Sequence, residues 1–378
     1  MQNITDKIFV SVAILMLIGV LFSYSLPIFL ENIKNLGEYH FVLRYALFSF
    51  LGILIMVYLS TKNPDKFFEK IGWFLFVVPG FLILIMPFLP SSIVPEINGA
   101  RRWINLGIVK LAPVEFFKIG FIFFLSWSFT RQVKKEHTIK NEIFLVLRYV
   151  SLIGVFWLII LWFQSDLGQV MVMGLVFALM LFVAGGKSRT LFMIIGAGII
   201  VFIGAIFSSS YRLRRFEGWL HSFSQNFLSY SNNTAITSYE QVNNALNAIY
   251  NGGITGVGIG NGVIKLGFLS DVHTDFVLAG IAEESGFIGI GLILVIISFL
   301  VKQIYKVAFR VEKKEYSLFS FGVGTLIILQ FLINAFGETS VIPIKGIAVP
   351  FLTYGGSSLI ALSVGIGMVL MISKKVKD

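Results

Sequence analysis

The stretch that decides the fold is SDVHTDFVLAGIAEESGFIGIGLILVIISFL, residues 270–300. It ends in an apolar run that is long enough to cross a bilayer, whose core needs roughly 20 apolar residues in a helix. Yet Asp275, Glu283 and Glu284 lie at its beginning, and ionised carboxylates in or near hydrocarbon are costly. A membrane segment that carries such residues indicates a functional site near the membrane surface.

Similar apolar runs repeat along nearly the whole chain of 378 residues, of which 56% are hydrophobic and 13% charged. A soluble domain carries about 25% charged residues. We therefore predict an all-α polytopic membrane protein that forms a single integral membrane domain over 1–378, with about ten transmembrane helices. The helices are expected at 8–28, 41–60, 71–90, 108–130, 143–163, 167–186, 189–208, 275–300, 317–336 and 349–372.

Lys and Arg residues cluster in one set of short loops, which predicts that these loops face the cytoplasm. The strongest examples are RQVKKEHTIK at 131–140, KQIYKVAFRVEKK at 302–314 and KKVKD at 374–378. Both termini are then cytoplasmic, in a protein of the cytoplasmic (inner) membrane. The net charge is +10, but because the basic residues cluster in short loops between apolar runs, nucleic acid is rejected as a partner.

A long loop over 209–274 is expected on the opposite, external face. Apolar residues at helical spacing predict an interfacial or re-entrant helix over about 239–250, ended by Gly252 and Gly253. GITGVGIGNG at 253–262 neither follows a predicted strand nor ends in Gly-Lys-Ser/Thr, so we interpret it as flexible backbone against a ligand or the bilayer. GFIGIG at 286–291 is typical of close helix packing.

Candidate substrate-binding residues converge on the predicted external face. They are Arg101, Arg102, Glu115, Lys118, Asp166, Arg212, Arg214, Arg215, Lys265, Glu283 and Lys345. Simpler interpretations compete with this one. Glu115 and Lys118, three residues apart, can form a structural ion pair. Asp166 can cap a helix, and the arginines after Tyr211 can contact lipid headgroups.

Asp275 follows His273 and Thr274, where the long loop enters the membrane. Partial dehydration there strengthens a carboxylate as a proton acceptor. Together with cations on the same face, this suits a lipid-linked phosphate substrate whose pyrophosphate the cations hold. Glu283 and Glu284 point about 100° apart on a helix, so at most one lines the same cavity, and we favour Glu283. A proton-coupled transporter would use the same residue types.

No cofactor is expected. The chain has no cysteine, and its four histidines have no ligand-like spacing, which argues against a protein metal site. The sequence also shows no dedicated acidic cage for a divalent cation. A divalent cation at the substrate pyrophosphate remains an alternative.

Several motifs in order resemble those of the SEDS family (shape, elongation, division and sporulation), the polytopic peptidoglycan glycosyltransferases. The resemblance covers nearly the full length. The motifs are NGARRWINLG at 98–107, APVEFFK at 112–118, QSDLGQ at 164–169, the long-loop segment at 239–286, and IPIKGIAVPFLTYGGSS at 342–358.

This resemblance implies polymerisation of lipid II into glycan strands at the outer face of the cytoplasmic membrane, with Asp275 of the HTDF motif as the catalytic residue. It also implies a class B penicillin-binding protein, a transpeptidase, as partner, beside other membrane proteins of the division machinery. Lys345 and Gly346 favour the division branch of the family. The alternatives are a lipid II flippase or transporter, an elongation polymerase, and a non-catalytic division scaffold.

A reporter that works only in the cytoplasm tests the predicted orientation. Fused near Asn233, inside the long loop, it should be silent, because the Lys and Arg bias of the other loops places this loop outside. The same reporter fused after the KKVKD tail should be active and serves as the control. Strong activity at Asn233 would reverse the topology and with it the side of the substrate.

Overall fold

The computed structural model describes residues 3–97, 100–107, 109–133, 139–208, 212–213, 216–220, 236–269, 271–343 and 346–376. Within these ranges the chain is mostly helical. The helices are α1 (Ile4–Ser25), α2 (Ile28–Ile33), α3 (His40–Thr61), α4 (Pro64–Ile85), α5 (Pro113–Gln132), α6 (Ile139–Leu158), α7 (Leu167–Val183), α8 (Ser188–Phe207), α9 (Ile236–Gly252), α10 (Val277–Arg310), α11 (Lys314–Glu338) and α12 (Gly356–Ser373). A short hairpin pairs β1 (Ile104–Asn105) antiparallel with β2 (Lys110–Leu111).

Eight of the described helices are long and apolar enough to cross a membrane, namely α1, α3, α4, α6, α8, α10, α11 and α12. The other two predicted spans correspond to α5, which carries Glu115 and Lys118, and to α7, an apolar helix of 17 residues. The predicted all-α polytopic membrane fold is therefore confirmed.

Several predicted boundaries were wrong. The fourth span begins at Pro113 rather than 108, because the preceding residues form β2 and its flanks. Proline suits this first helical position, where a missing N–H loses no hydrogen bond. The eighth span continues to Arg310, well past 300, so its last turns carry basic residues. The tenth begins at Gly356, because the residues before it form turns.

The centre of the bundle is formed by α5, α11 and α12. The last of these packs against both α3 and α5, and α5 also packs against α4 and α11. The start of α1 and the end of α12 lie at one end of the bundle, where the hydroxyls of Thr5 and Ser373 are 2.8 Å apart. We call this the terminal end, and we call the opposite end, where α5 and α10 begin, the site end.

An interruption in α10 shapes the site end. Gly286 has φ +67° and ψ −169°, which is not helical. Four backbone hydrogen bonds of 2.9–3.1 Å join the two sides of the break to the glycine-rich segment 253–258. The N–H donors and C=O acceptors are Val257 to Glu283, Gly258 to Glu284, Phe287 to Gly253, and Ile288 to Ile254.

The glycine cluster is therefore packed against α10 rather than held flexible against a ligand or bilayer, as the sequence had suggested. A Cβ atom on Gly256 would lie 2.2 Å from the carbonyl oxygen of Glu284, so a side chain there cannot be accommodated without movement. The preceding helix α9 packs along α10 and buries Val242, Ala245 and Ala248. Its predicted end is confirmed, since the helix stops at Gly252 and Gly253 has a positive φ.

Glu284 forms a buried ion pair with Lys265. The Lys265 Nζ atom lies 2.6 Å from Glu284 Oε1, and both side chains are at most 1% exposed. Lys265 also donates to the carbonyl oxygen of Gly260 at 2.8 Å, and the Ser25 hydroxyl donates to the Glu284 carboxylate. Because its charge is already satisfied inside the bundle, Lys265 does not have the geometry of a substrate-binding cation, contrary to the sequence-based prediction.

Glu283 is also used internally. Its carboxylate accepts the backbone N–H groups of Val263 and Ile264 at 3.0–3.2 Å, and the residue is 2% exposed. These bonds hold the short helical turn that contains Lys265. The preference for Glu283 as a residue that lines a cavity with Asp275 therefore finds no support in its contacts.

The ion pair gives a stability prediction. Lys265→Met should destabilise the protein by about 3–5 kcal/mol, because Glu284 would become a buried charge without its partner. The thermal unfolding midpoint of the purified protein in detergent measures this. The double variant Lys265→Met with Glu284→Gln should recover most of the loss, because neither charge remains. If the Lys265→Met protein had the wild-type midpoint, the inference that Glu284 needs Lys265 to compensate its buried charge would be contradicted.

Candidate active site

Asp275 is half-buried in the turn that precedes α10. Its own N–H and that of Phe276 donate to the carbonyl oxygen of Asp271 at 3.0 and 3.2 Å, which closes the turn. The Asp275 carboxylate faces Gly346, where a Cβ atom would lie 3.0 Å from Oδ2. The glycine therefore leaves room for the carboxylate at this point of the C-terminal loop.

Two polar residues of α11 hold the backbone at Asp275 and in the first turn of α10, which follows it. Asn334 Nδ2 donates to the carbonyl oxygens of Asp275 and Ile347, both at 3.0 Å. Glu338, 2% exposed, accepts the backbone N–H groups of 278–279 in the first turn of α10. Asn334 and Glu338 are four residues apart, so they share one face of α11. The sequence analysis missed both, although polar residues at this spacing in an apolar helix are a usable signal.

The residues before Asp275 are fixed by the C-terminal loop. The His273 ring packs edge-on against Phe41 at 5.4 Å and lies 6.1 Å from the Tyr354 ring. The Tyr354 N–H donates to the His273 carbonyl oxygen, and the Thr353 hydroxyl donates to that of Thr274. Burial lowers the pKa of His273 to about 4, so its imidazole is neutral near pH 7. His273 therefore has a packing role rather than a charge beside Asp275.

A second cluster forms around the turn after α6. This helix ends in a π-helical turn, Ile159–Phe163, a feature often found at functional sites. Arg102 clamps the residues that follow it. Its Nε and Nη2 atoms donate to the carbonyl oxygens of Gln164 and Ser165, each at 2.9 Å, and Nη1 lies 3.5 Å from Asp166 Oδ2. The guanidinium of Arg102 is thus occupied by protein acceptors.

Asp166 continues this cluster into the bundle. Its Oδ1 atom caps α7 by accepting the Gln169 N–H at 3.2 Å, and the Gln169 side chain donates to Glu115 at 3.0 Å. Glu115 in turn pairs with Lys118 at 2.8 Å, and the Lys118 side chain is 2% exposed. The simpler interpretations, an N-cap and a structural ion pair, match these contacts.

Arg101 and Arg212 differ from Arg102 in what they contact. Arg101 is about one-third exposed, with Glu96 at 3.4 Å, and lies 5.9 Å from the ring centre of Phe163. Arg212 lies 5.2 Å from the ring centre of Trp162. Two loops that are distant in sequence therefore bring cations to neighbouring aromatic residues of the same π-helical turn. The Arg101 side chain is about one-third exposed, whereas Nη1 of Arg212 is buried and has no hydrogen-bond partner.

Hydrogen bonds link the loops of the site end to one another. The Ser357 hydroxyl accepts the N–H of Ala112 at 3.0 Å and donates to the Lys110 carbonyl oxygen, which joins the start of α12 to the hairpin and its flank. Trp219 Nε1 donates to the Ser340 carbonyl oxygen at 2.8 Å, which joins the segment after Arg212 to the end of α11.

Three predicted site residues, Arg214, Arg215 and Lys345, lie outside the described residues. Within the described ranges, no group of three or more His, Asp or Glu side chains could hold a metal ion.

Comparison with known proteins gives consistent matches over the whole chain. A family model described as "Cell cycle protein", covering FtsW, RodA and SpoVE, matches residues 6–378. The probable peptidoglycan glycosyltransferase FtsW of Helicobacter pylori (strain ATCC 700392 / 26695) is 41% identical, with 99% of each chain covered. That of Haemophilus influenzae is 34% identical over 95% of this chain and 87% of the relative.

Solved structures share the fold. A chain from a peptidoglycan synthase complex, described as coordinating polymerisation and crosslinking, matches with a TM-score of 0.73 at 22% identity, covering 97% of this chain and 96% of that one. The rod shape-determining protein RodA of Thermus thermophilus matches with a TM-score of 0.66 at 21% identity, covering 98% and 97%.

The adjacent arginines should respond differently to substitution. Arg102→Ala should lower the thermal unfolding midpoint, because two carbonyl groups lose hydrogen bonds to a charged donor, each worth about 1.5–3 kcal/mol, and Asp166 loses its ion pair. Arg102→Lys should restore little, since a lysine cannot reproduce the planar set of donors. Arg101→Ala is the matched control and should leave the midpoint unchanged. Equal unfolding midpoints for all three variants would contradict the inference that Arg102 stabilises the turn after α6.

Proposed function

The chain belongs to the cell cycle protein family of FtsW, RodA and SpoVE and is a multi-pass membrane peptidoglycan glycosyltransferase, and we propose that it polymerises lipid II with Asp275 as the general base. The observation that carries the proposal is the setting of this carboxylate. It is half-buried at the site end, Asn334 of α11 holds its carbonyl oxygen, and Glu338 of α11 holds the first turn of α10. Such fixation suits a group that must meet a reacting hydroxyl in one geometry.

The reaction is a glycosyl transfer between two lipid II molecules. Asp275 takes the proton from the acceptor sugar hydroxyl, and that oxygen forms a bond to the anomeric carbon of the donor. The bond between this carbon and the pyrophosphate oxygen breaks, and polyprenyl pyrophosphate leaves with the bonding electrons. A carboxylate with water access on one side can accept the proton and release it afterwards, which a fully enclosed group such as Glu284 cannot do readily.

The leaving pyrophosphate needs cationic partners, because negative charge grows on it as the bond breaks. Arg101 and Arg212 are the best-supported candidates, since each lies against an aromatic residue of the same turn. Arg214, Arg215 and Lys345 are retained on the sequence argument alone. The other predicted residues have structural roles. The π-helical turn and the residues after it are held in place by Arg102, Asp166, Glu115 and Lys118. The long loop is held against α10 by Lys265 and Glu283.

The proposed setting is synthesis of septal wall at the outer face of the cytoplasmic membrane, with both termini in the cytoplasm. A transpeptidase partner of the class B penicillin-binding type is supported by the likeness of the fold to a chain from a complex that coordinates polymerisation and crosslinking. Other membrane proteins of the division machinery are proposed as further partners.

The activity is tested with Asp275→Asn. Asparagine keeps the size of the side chain but cannot carry the transferred proton, so polymerisation of labelled lipid II should fall by roughly 10²–10⁴-fold. Thermal unfolding and co-purification with the transpeptidase should stay at the wild-type level. The measurement is the yield of glycan polymer from purified protein and partner in detergent.

Asp271→Asn is the matched control, because it makes the same chemical change four residues earlier in the same loop. It should polymerise at close to the wild-type rate. Wild-type rates from well-folded Asp275→Asn protein would remove the catalytic assignment. If the wild-type protein moved lipid II across liposome membranes and made no polymer, the flippase hypothesis would replace the polymerase hypothesis. If it showed neither activity, only the hypothesis of a non-catalytic scaffold would remain.

A further inference from the structure

A groove lies at the terminal end of the bundle, between α10 and α11. Its volume is about 540 Å³. It is lined by Ser298, Val301, Tyr305, Phe309 and Ile328 together with Lys302, Lys306 and Arg310. No residue of this groove takes part in the site described above, which lies at the other end of the same helices.

The three cations of the groove form one row. Lys302, Lys306 and Arg310 follow one another at four-residue intervals, so they lie along one face of α10 and point in a common direction. Within the described residues, no carboxylate forms a salt bridge with any of them. This concentrates positive charge on the groove.

Three other basic residues at the same end are paired with acids of the protein. Arg131 and Lys313 both contact Glu315, and Lys375 lies 2.7 Å from Asp65. The row on α10 differs from these three cations, because no acid among the described residues forms a salt bridge with it.

Apart from Ser298, the remaining walls of the groove are apolar or aromatic. The Tyr305 ring stacks on Phe321 at 5.3 Å, and Phe309 is 69% exposed. Towards the membrane centre, α10 continues with exposed apolar side chains, among them Val295 and Phe299. A ligand with a negative headgroup and long apolar chains would contact the cations and this apolar surface together.

We propose that this groove binds the phosphodiester headgroup of an anionic phospholipid in the membrane leaflet at the terminal end. Basic pockets between transmembrane helices bind anionic headgroups, while the acyl chains pack along the adjacent apolar helix surface. A soluble phosphate would use the cations but not the apolar face, and a protein segment would have to displace lipid from that face. The lipid satisfies both parts of the groove.

The test uses purified full-length protein in detergent, titrated with phosphatidylglycerol or phosphatidylcholine and followed by native mass spectrometry. The wild-type protein should retain phosphatidylglycerol in preference to phosphatidylcholine. The double variant Lys302→Ala with Lys306→Ala should bind phosphatidylglycerol about 30-fold more weakly, at about 1 kcal/mol for each lysine removed.

Lys66 and Lys70 provide the matched control. They are exposed, four residues apart and at the same end on α4, but they do not line the groove. The double variant Lys66→Ala with Lys70→Ala removes the same charge and should bind phosphatidylglycerol like the wild type. Both double variants should keep the wild-type unfolding midpoint without lipid.

Three outcomes would overturn the proposal. Equal weakening by both double variants would mean attraction by net charge rather than a site. Equal retention of the two lipids by the wild type would exclude headgroup selection. Displacement of phosphatidylglycerol by an equal concentration of soluble glycerophosphoglycerol would assign the groove to a free phosphodiester.

Discussion

The four backbone hydrogen bonds that join segment 253–258 to the break in α10 are the contact on which the site end depends. Within a bilayer, an unpaired peptide group costs several kcal/mol, so a transmembrane helix can be interrupted only where other groups replace its lost bonds. Here the glycine-rich segment supplies two donors and two acceptors to the open turns. These bonds stabilise the break at Gly286. The part of α10 before the break, which follows Asp275, can therefore differ in direction from the part after it.

The same contact explains the acids that make the opening stretch unusual for a membrane segment. Glu284 neutralises Lys265 of the docked segment, and Glu283 accepts the backbone N–H groups of the turn that contains this lysine. Glu338 of α11 occupies the start of α10, where unpaired N–H groups and the helix dipole favour a carboxylate. Asp275 differs from these three buried residues because it is only half-buried. It lies next to the segments that the three residues stabilise.

The features that the sequence predicted correctly are those set by local chemistry. Span number and type follow from the length of apolar runs, and the end of α9 follows from Gly252 and Gly253. The break in α10 could not be predicted in this way, because Gly286 needs partners from 253–258 that hydropathy does not identify. GFIGIG had therefore been interpreted as packing, and the earlier glycines as flexible. Asn334 and Glu338 were missed for a related reason, since their partners are backbone groups of another helix.

The charge of a residue alone did not predict whether that residue is available to bind substrate. Arg101 and Arg102 are identical and adjacent in sequence, yet Arg102 is saturated by a turn more than fifty residues away while Arg101 has one carboxylate at 3.4 Å. Lys118 and Lys265, which also counted as substrate cations, are enclosed with acids of their own. A cation already desolvated and paired would have to lose that partner before binding an anion, which costs several kcal/mol. The candidates for binding a charged substrate are therefore the cations with free solvent-facing donors, and this criterion separates Arg101 from Arg102 where composition and motif cannot.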